Sequence, residues 1–260
     1  MPKIVTLCTD FGLRDGYVAA MKGVILSIAP QVCLVDISHQ ITPQSVREGA
    51  FVLRSAYTFF PSGTVHLVVV DPGVGSERRA MAVQAAEHLF VAPDNGVLAY
   101  VLRREQLIQA VSLTNPVYWR EEVSETFHGR DIFAPVAAHL ALGVPLEDLG
   151  KPLEELVQLD LPVPERRSNG TIVGHVIHVD GFGNVVTNIP ADMLRDCDRW
   201  QVMAGKEWII GLSSTYASAA KGDLVALIGS HGFLEIAVRE GSAARIAHLQ
   251  VGDTVRALRV

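Results

Sequence analysis

The sequence predicts an α/β fold: an N-terminal α/β domain with a mostly parallel sheet, followed by a smaller C-terminal antiparallel β-barrel-like domain. Three observations carry that prediction. Strand-like and helix-like segments alternate through the first half, as in parallel strands joined by crossover helices. Residues 161–170 (LPVPERRSNG) form a proline-rich, charged and then polar break. Beyond it, short strand-like runs follow one another with turn residues between them. The expected division is therefore 1–160, a linker at 161–170, and 171–260.

In the first domain, residues 3–8 are a short apolar, β-branched run. Val18, Met21, Ile25 and Ile28 then fall on one helical face, and Pro30 closes that helix. Residues 32–37 are strand-like again. Thr42-Pro43 has the form of a helix start, with Thr42 as N-cap and Pro43 at the first helical position, and Val46, Ala50, Leu53 and Tyr57 follow at helical spacing. The run TVHLVVV (64–70) is almost continuously apolar, which suits a strand buried on both faces. A short strand is expected at 89–92 and a helix at 133–142, ended by Gly143. In the second domain, strands are expected at 171–179, 185–189, 200–204, 208–210, 224–228, 233–238 and 254–258.

Composition narrows the function. The 260 residues are 49% hydrophobic and 19% charged, enough apolar material for a sizeable core. A formal net charge of -6 argues against a general binder of phosphate backbones, so no nucleic-acid partner is expected. No apolar stretch approaches the ~20 residues of a membrane span, and Lys22 interrupts the best candidate. The N-terminal pattern is not that of a signal peptide, so no membrane partner and a cytoplasmic location are expected. Cys8, Cys33 and Cys197 are widely spaced and form no CxxC or Cys/His zinc pattern.

Four strand-like runs of the first half end in polar turns: Thr9-Asp10-Phe11-Gly12, Asp36-Ile37-Ser38, Asp71-Pro72-Gly73-Val74-Gly75 and Pro93-Asp94-Asn95-Gly96. Asp, Asn and Gly are ordinary turn formers. If the strands are parallel, however, the same residues gather on one rim, where open α/β sheets bind ligands. The segment DPGVGSERR (71–79) can fold Asp71 and Arg78 back to one place, and it is neither a Walker loop nor a dinucleotide fingerprint. Phe127-His128-Gly129-Arg130-Asp131 puts a histidine beside a glycine ahead of a helix. In the second domain, Asp180-Gly181-Phe182-Gly183-Asn184 offers an aromatic and an amide to a planar base, against the simpler reading of a loop with a tucked aromatic. Ser230-His231-Gly232-Phe233 is a fourth candidate, or simply a hairpin. A metal site built from Asp10, Asp71, Asp94 and His128 is the rival reading of the first domain, although nothing in the spacing demands it.

Taken in order, these motifs resemble the S-adenosylmethionine hydroxide adenosyltransferase family, which is related to the fluorinase and chlorinase enzymes that halogenate S-adenosylmethionine at its 5′ carbon. The resemblance spans essentially the whole chain. It implies an N-terminal α/β domain and a C-terminal β-barrel-like domain, assembled as a homotrimer with sites between subunits. It implies hydrolysis of S-adenosyl-L-methionine to adenosine and L-methionine, with the methionine derivative as substrate and no cofactor or metal. Asp71, Arg78 and His128 match the family's water-handling triad, and spacing alone separates Arg78 from its neighbour Arg79. Asp10 is matched to the ribose hydroxyls, Phe182 and Asn184 to the adenine, and Asp180 and Ser230 to the methionine end. Phe11, Asp15, Asp94, Asn95, Gly129 and His231 complete the implied substrate-binding set. At the Asp71 position the halogenating relatives typically carry tyrosine, so the hydroxide branch is expected. His231 replaces an arginine found in some of those relatives, which leaves the carboxylate contact open. Halide as the nucleophile, a non-catalytic adenosine-binding protein and a metal-dependent hydrolase are the alternatives.

Overall fold

Val5, Leu7 and Cys8 have no exposed surface, because their strand is flanked on both sides in the first sheet and covered on both faces. The computed structural model describes residues 3–197 and 199–260 and divides into two units, Met1–Leu159 and Asp160–Val260. In chain order the first unit contains β1 (Ile4–Thr9), α1 (Tyr17–Ile28), β2 (Cys33–Ser38), α2 (Val46–Ala56), β3 (Val65–Val69), β4 (Ala80–Ala85), β5 (His88–Pro93), α3 (Ala99–Arg104), β6 (Leu107–Leu113), α4 (Ala134–Ala141) and β7 (Gly150–Pro152). Its sheet has the order β2-β1-β3-β5-β4-β6-β7. The pairings from β2 to β5 are parallel and those from β5 to β7 antiparallel. The parallel half is the one expected; the antiparallel half makes the sheet mixed.

Alternation along β3 shows how the layers form. Val65, Leu67 and Val69 pack with Met21 and Ile25 of α1 and Ala137 of α4. Val68 and Val70 face the other way, against Leu53, Tyr57, Leu98 and Val101. A strand buried on both faces has no solvent side to mark with polar residues, hence the continuous apolar run.

The second unit contains β8 (Glu165–Arg166), β9 (Ile172–Val179), β10 (Val185–Pro190), β11 (Trp200–Ala204), β12 (Glu207–Ile210), β13 (Leu224–Ile228), β14 (Phe233–Val238), α5 (Ala243–Ile246) and β15 (Thr254–Arg259). The main path of the sheet is β12-β11-β15-β9-β10-β14-β13, with β8 on β9, and all its pairings are antiparallel. Ser213, just after β12, bridges Leu227 of β13, so the sheet nearly closes into a barrel. Closure of this kind removes free strand edges. The proline-rich segment is part of this unit: Glu165 and Arg166 pair with β9, Leu161 is buried, and the Pro162 carbonyl accepts from Asn188 Nδ2 at 2.8 Å.

One local expectation differs from the structure, and one strand carries no sequence signal. α2 begins at Val46, three residues after Pro43, because Gln44 has φ +68°, which a helix cannot contain. β4 (AMAVQA) is a strand despite its helix-favouring residues, since it lies buried between β5 and β6.

Candidate active site

Because β1, β2, β3 and β5 run parallel, their C-terminal ends bring Asp10, His39, Asp71 and Asp94 to one rim of the sheet. Asp71 leaves β3 on a loop that doubles back. Gly75 makes this possible: its φ is +78°, and a Cβ there would sit 2.7 Å from the Glu125 carbonyl oxygen. The loop thus packs directly on the segment that leads to His128.

Arg78 lies between Asp71 and His128. Its Nε donates to both Asp71 oxygens at 2.9 Å, and its Nη2 lies 2.7 Å from Asp71 Oδ2 and 2.8 Å from His128 Nδ1. The Arg78 guanidinium also sits 5.2 Å over the Phe133 ring. A guanidinium only donates, so Nδ1 must be the accepting nitrogen of a neutral ring and Nε2 carries the proton. Burial first, and then the Arg78 charge, push the His128 pKa below its ordinary range. Arg79, the next residue, is committed elsewhere: it pairs with buried Asp94 and donates to the Glu155 carbonyl. The two adjacent arginines therefore serve different carboxylates.

His128 starts the helix that continues through a π-helical stretch, Gly129–Phe133, into α4. Its approach is fixed by Asp131, whose carboxylate is fully buried. Asp131 accepts from Arg120 Nη1 (2.8 Å), Arg130 Nε (2.6 Å), and both Oγ (2.8 Å) and the amide (2.9 Å) of Ser124. Burial raises the Asp131 pKa, but these donors outweigh it and hold the acid well below the usual carboxylate range. Ser124 Oγ in turn accepts from the Phe127 amide at 3.1 Å. Phe11, Tyr17 and Phe127 form a mutual ring cluster with centroids 5.2–5.8 Å apart. A cavity of about 460 Å³ is lined by Phe11, Tyr17, Asp71, Phe127, His128 and Arg130, with Gly129 at its wall.

Asp10 follows β1, and its Oδ2 accepts from the Gln44 amide at 2.7 Å. That bond explains the left-handed backbone at Gln44 and the late start of α2. Asp15 is exposed in the loop before α1. Asp94 Oδ1 accepts from the Val157 amide, while Asn95 bonds the Val70 carbonyl and the Val97 amide. Asp94 and Asn95 thus brace the rim through protein contacts.

The second unit has its own cavity, about 610 Å³, lined in part by Asp180, Phe182, Asn184 and Tyr216. Asp180 Oδ1 accepts from the amides of Phe182 and Asn184 at 2.9 Å, and Oδ2 from Asn184 Nδ2 at 3.0 Å. This fixes the Asn184 amide and leaves Phe182 82% exposed. Glu235, 4% exposed, accepts from Tyr216 OH at 2.7 Å and lies 2.9 Å from His231 Nε2. Burial and then that hydrogen bond push the Tyr216 phenol up to about 12. His231 Nδ1 accepts from the Phe233 amide, so both ring nitrogens have protein partners. Ser230 is exposed on the turn between β13 and β14.

Sequence reasoning missed Tyr17, Gln44 and Tyr216, which carry no local motif, and Glu235, whose signal was a lone carboxylate in the apolar run FLEIAV. Among the described residues, no group of three or more His, Cys, Asp or Glu is placed to hold a metal ion, and no helix is long and apolar enough to cross a membrane.

The family model described as SAM hydroxide adenosyltransferase N-terminal domain matches residues 5–150, and the corresponding C-terminal domain model matches residues 174–256. An (R)-S-adenosyl-L-methionine hydrolase of Salinispora tropica is 40% identical over 97% of this chain and 96% of its own length. A fluorinase of Nocardia brasiliensis is 31% identical over 97% of this chain and 96% of its own. The crystal structure of an uncharacterized conserved protein from Thermotoga maritima superposes with a TM-score of 0.92 at 39% identity, covering 98% of this chain and all of that one.

Proposed function

The chain belongs to the SAM hydroxide adenosyltransferase family, and from that premise we propose that it hydrolyses S-adenosyl-L-methionine to adenosine and L-methionine. The observation that carries the reading onto this chain's own residues is the linked set Asp71–Arg78–His128 at the edge of an aromatic-lined cavity.

The substrate sets the demands. Its sulfonium leaves as a neutral thioether, so no general acid is needed at sulfur. What the protein must supply is an oriented oxygen nucleophile in line with the C5′–S bond. His128 Nε2–H donates to the oxygen of that water and holds it. Asp71 takes one of its protons as oxygen attacks C5′, and the C–S bonding pair goes to sulfur. Arg78 pairs with the Asp71 carboxylate and fixes the histidine tautomer through the same guanidinium. Asp10 accepts from the ribose hydroxyls, and the aromatic walls keep the reacting centre dry, which favours charge dispersal. Asn184 and Phe182 serve the adenine, with Asp180 and Ser230 toward the methionine end. Because His231 is engaged by Glu235 and Phe233, its ring is not assigned to the substrate carboxylate.

The same proposal includes a homotrimer in the cytoplasm, with the N-terminal cavity of one subunit completed by the C-terminal cavity of the next. The family resemblance and the exposed Phe182 ring support that assembly.

Turnover in ¹⁸O-water is the test. Adenosine labelled at its 5′ oxygen is expected. Unlabelled adenosine, no adenosine, or 5′-halo-adenosine as the main product when halide is added, would each overturn the reading.

A further inference from the structure

A chain of polar contacts behind the substrate rim is used by none of the steps above. Lys22 Nζ donates to Asp36 Oδ2 at 2.6 Å. Asp36 Oδ1 lies 3.0 Å from His39 Nε2. His39 Nδ1 is 2.8 Å from Thr9 Oγ1, and Thr9 Oγ1 accepts from the Phe11 amide at 3.3 Å. The Gly12 amide donates to the His39 carbonyl at 2.7 Å. His39 therefore touches both ends of the segment that carries Asp10.

The contacts run in one consistent direction. In the tautomer whose Nε2–H faces the Asp36 carboxylate, Nδ1 is an acceptor. The Thr9 hydroxyl gives its proton to Nδ1, and its oxygen is then oriented to receive the Phe11 amide. Thr9 is fully buried and His39 4% exposed, so water does not substitute for either partner. The sheet is irregular at this point. The β1–β2 register slips between Leu7 and Cys8, with Leu7 opposite Asp36 but Cys8 opposite Ser38. Such bulges re-aim side chains beside functional sites. The extra residue, Ile37, carries the strand forward so that His39 meets Thr9.

The arrangement has the carboxylate–imidazole–hydroxyl order of a nucleophilic triad, but the hydroxyl is sealed and already accepts an amide, so it has no route to a substrate. We propose that His39, acting through Thr9, is a positioning residue that fixes the Asp10–Phe11–Gly12 segment in the geometry needed to accept the ribose hydroxyls. The inference rests on the ribose role given to Asp10 above. It predicts a loss of substrate binding and not of chemistry, because ribose contacts are made equally in ground and transition states.

The experiment compares Thr9→Val, Thr9→Ser, His39→Leu and His39→Asn for kcat, KM, adenosine dissociation constant and thermal midpoint. Asn presents an acceptor where Nδ1 was, and Ser keeps the hydroxyl. Thr9→Val and His39→Leu are expected to raise KM and the adenosine dissociation constant by about tenfold or more, with kcat changed by less than about twofold. Thr9→Ser and His39→Asn are expected to restore most of the affinity. The double variant Thr9→Val/His39→Leu is expected to lose little more than either single change, since both cut the same link. Unchanged KM in the folded Val and Leu variants, or a fall in kcat and thermal midpoint with KM intact, overturns the proposal. If the wild-type protein neither binds adenosine nor turns over S-adenosylmethionine, the functional reading itself fails, an outcome distinct from a null effect of these substitutions.

Discussion

Asp71 and Arg78 are nearly sealed, with side-chain exposures of 6% and 11%, and each satisfies the other's charge. In such a pair the loss of one partner strands the other, which costs ~3–5 kcal/mol when both are buried. Asp71→Asn is the gentler probe, since the amide keeps the shape and loses the proton acceptor. It is expected to lower kcat by about 10²–10⁴-fold, the usual range for a general base, with substrate binding largely retained. His128→Ala is expected to lose most turnover as well. Single-turnover rates beside equilibrium binding of adenosine check both, and wild-type rates in either variant would remove that residue from the mechanism. Much of this was legible in the sequence: DPGVGSERR and FHGRD already contained the three side chains. The choice between Arg78 and Arg79 was not. In the fold Arg79 is engaged by Asp94, 15 positions away in the chain, while Arg78 meets Asp71.

β3 leads to the polar rim at Asp71 and also carries a buried polar cluster. His66 has no exposed surface; its Nδ1 is 2.8 Å from Thr6 Oγ1, its Nε2 3.3 Å from His88 Nδ1, and its ring stacks on Phe90. Burial, and then the charge of His88, push its pKa down to about 3, and burial lowers that of His88 as well. A histidine kept neutral in the fold but free to ionise when unfolded favours the unfolded chain as pH falls. The contribution is therefore intact above about pH 6.5, the ordinary histidine value, and is lost progressively between there and about pH 3. His66→Leu is expected to lower the midpoint of denaturant unfolding at pH 7 while flattening its decline over that window. A decline as steep as that of the wild-type protein would show that other groups dominate. The apolar run TVHLVVV identified the strand, but nothing in it showed that its histidine is buried against two neighbours.

At the scale of the whole molecule, each unit presents a cavity of its own, and the implied substrate residues are divided between them. Asp10, Asp71 and His128 lie in the first unit, and Asp180, Phe182 and Asn184 in the second. The proposed assembly makes a direct prediction: sedimentation equilibrium of the purified protein is expected to give three chain masses, with activity falling on dilution into monomer. A fully active monomer would refute it.

By itself the sequence determined the α/β-then-β order, the parallel strands behind the polar rim and the motifs that sit on it, since hydrophobic period and turn chemistry are local properties. Only the tertiary structure decided the rest. It showed that β4, β6 and β7 extend the sheet with antiparallel strands, and that Glu165 and Arg166 pair with β9. It also showed that Asp94 and Asn95 brace backbone, and that His39, Gln44, Asp131 and Glu235 bond to Thr9, Asp10, Ser124 and Tyr216. The reason is common to all of them. A buried polar side chain takes its role from the partner that satisfies it, and that partner comes from a remote part of the chain which no local pattern records.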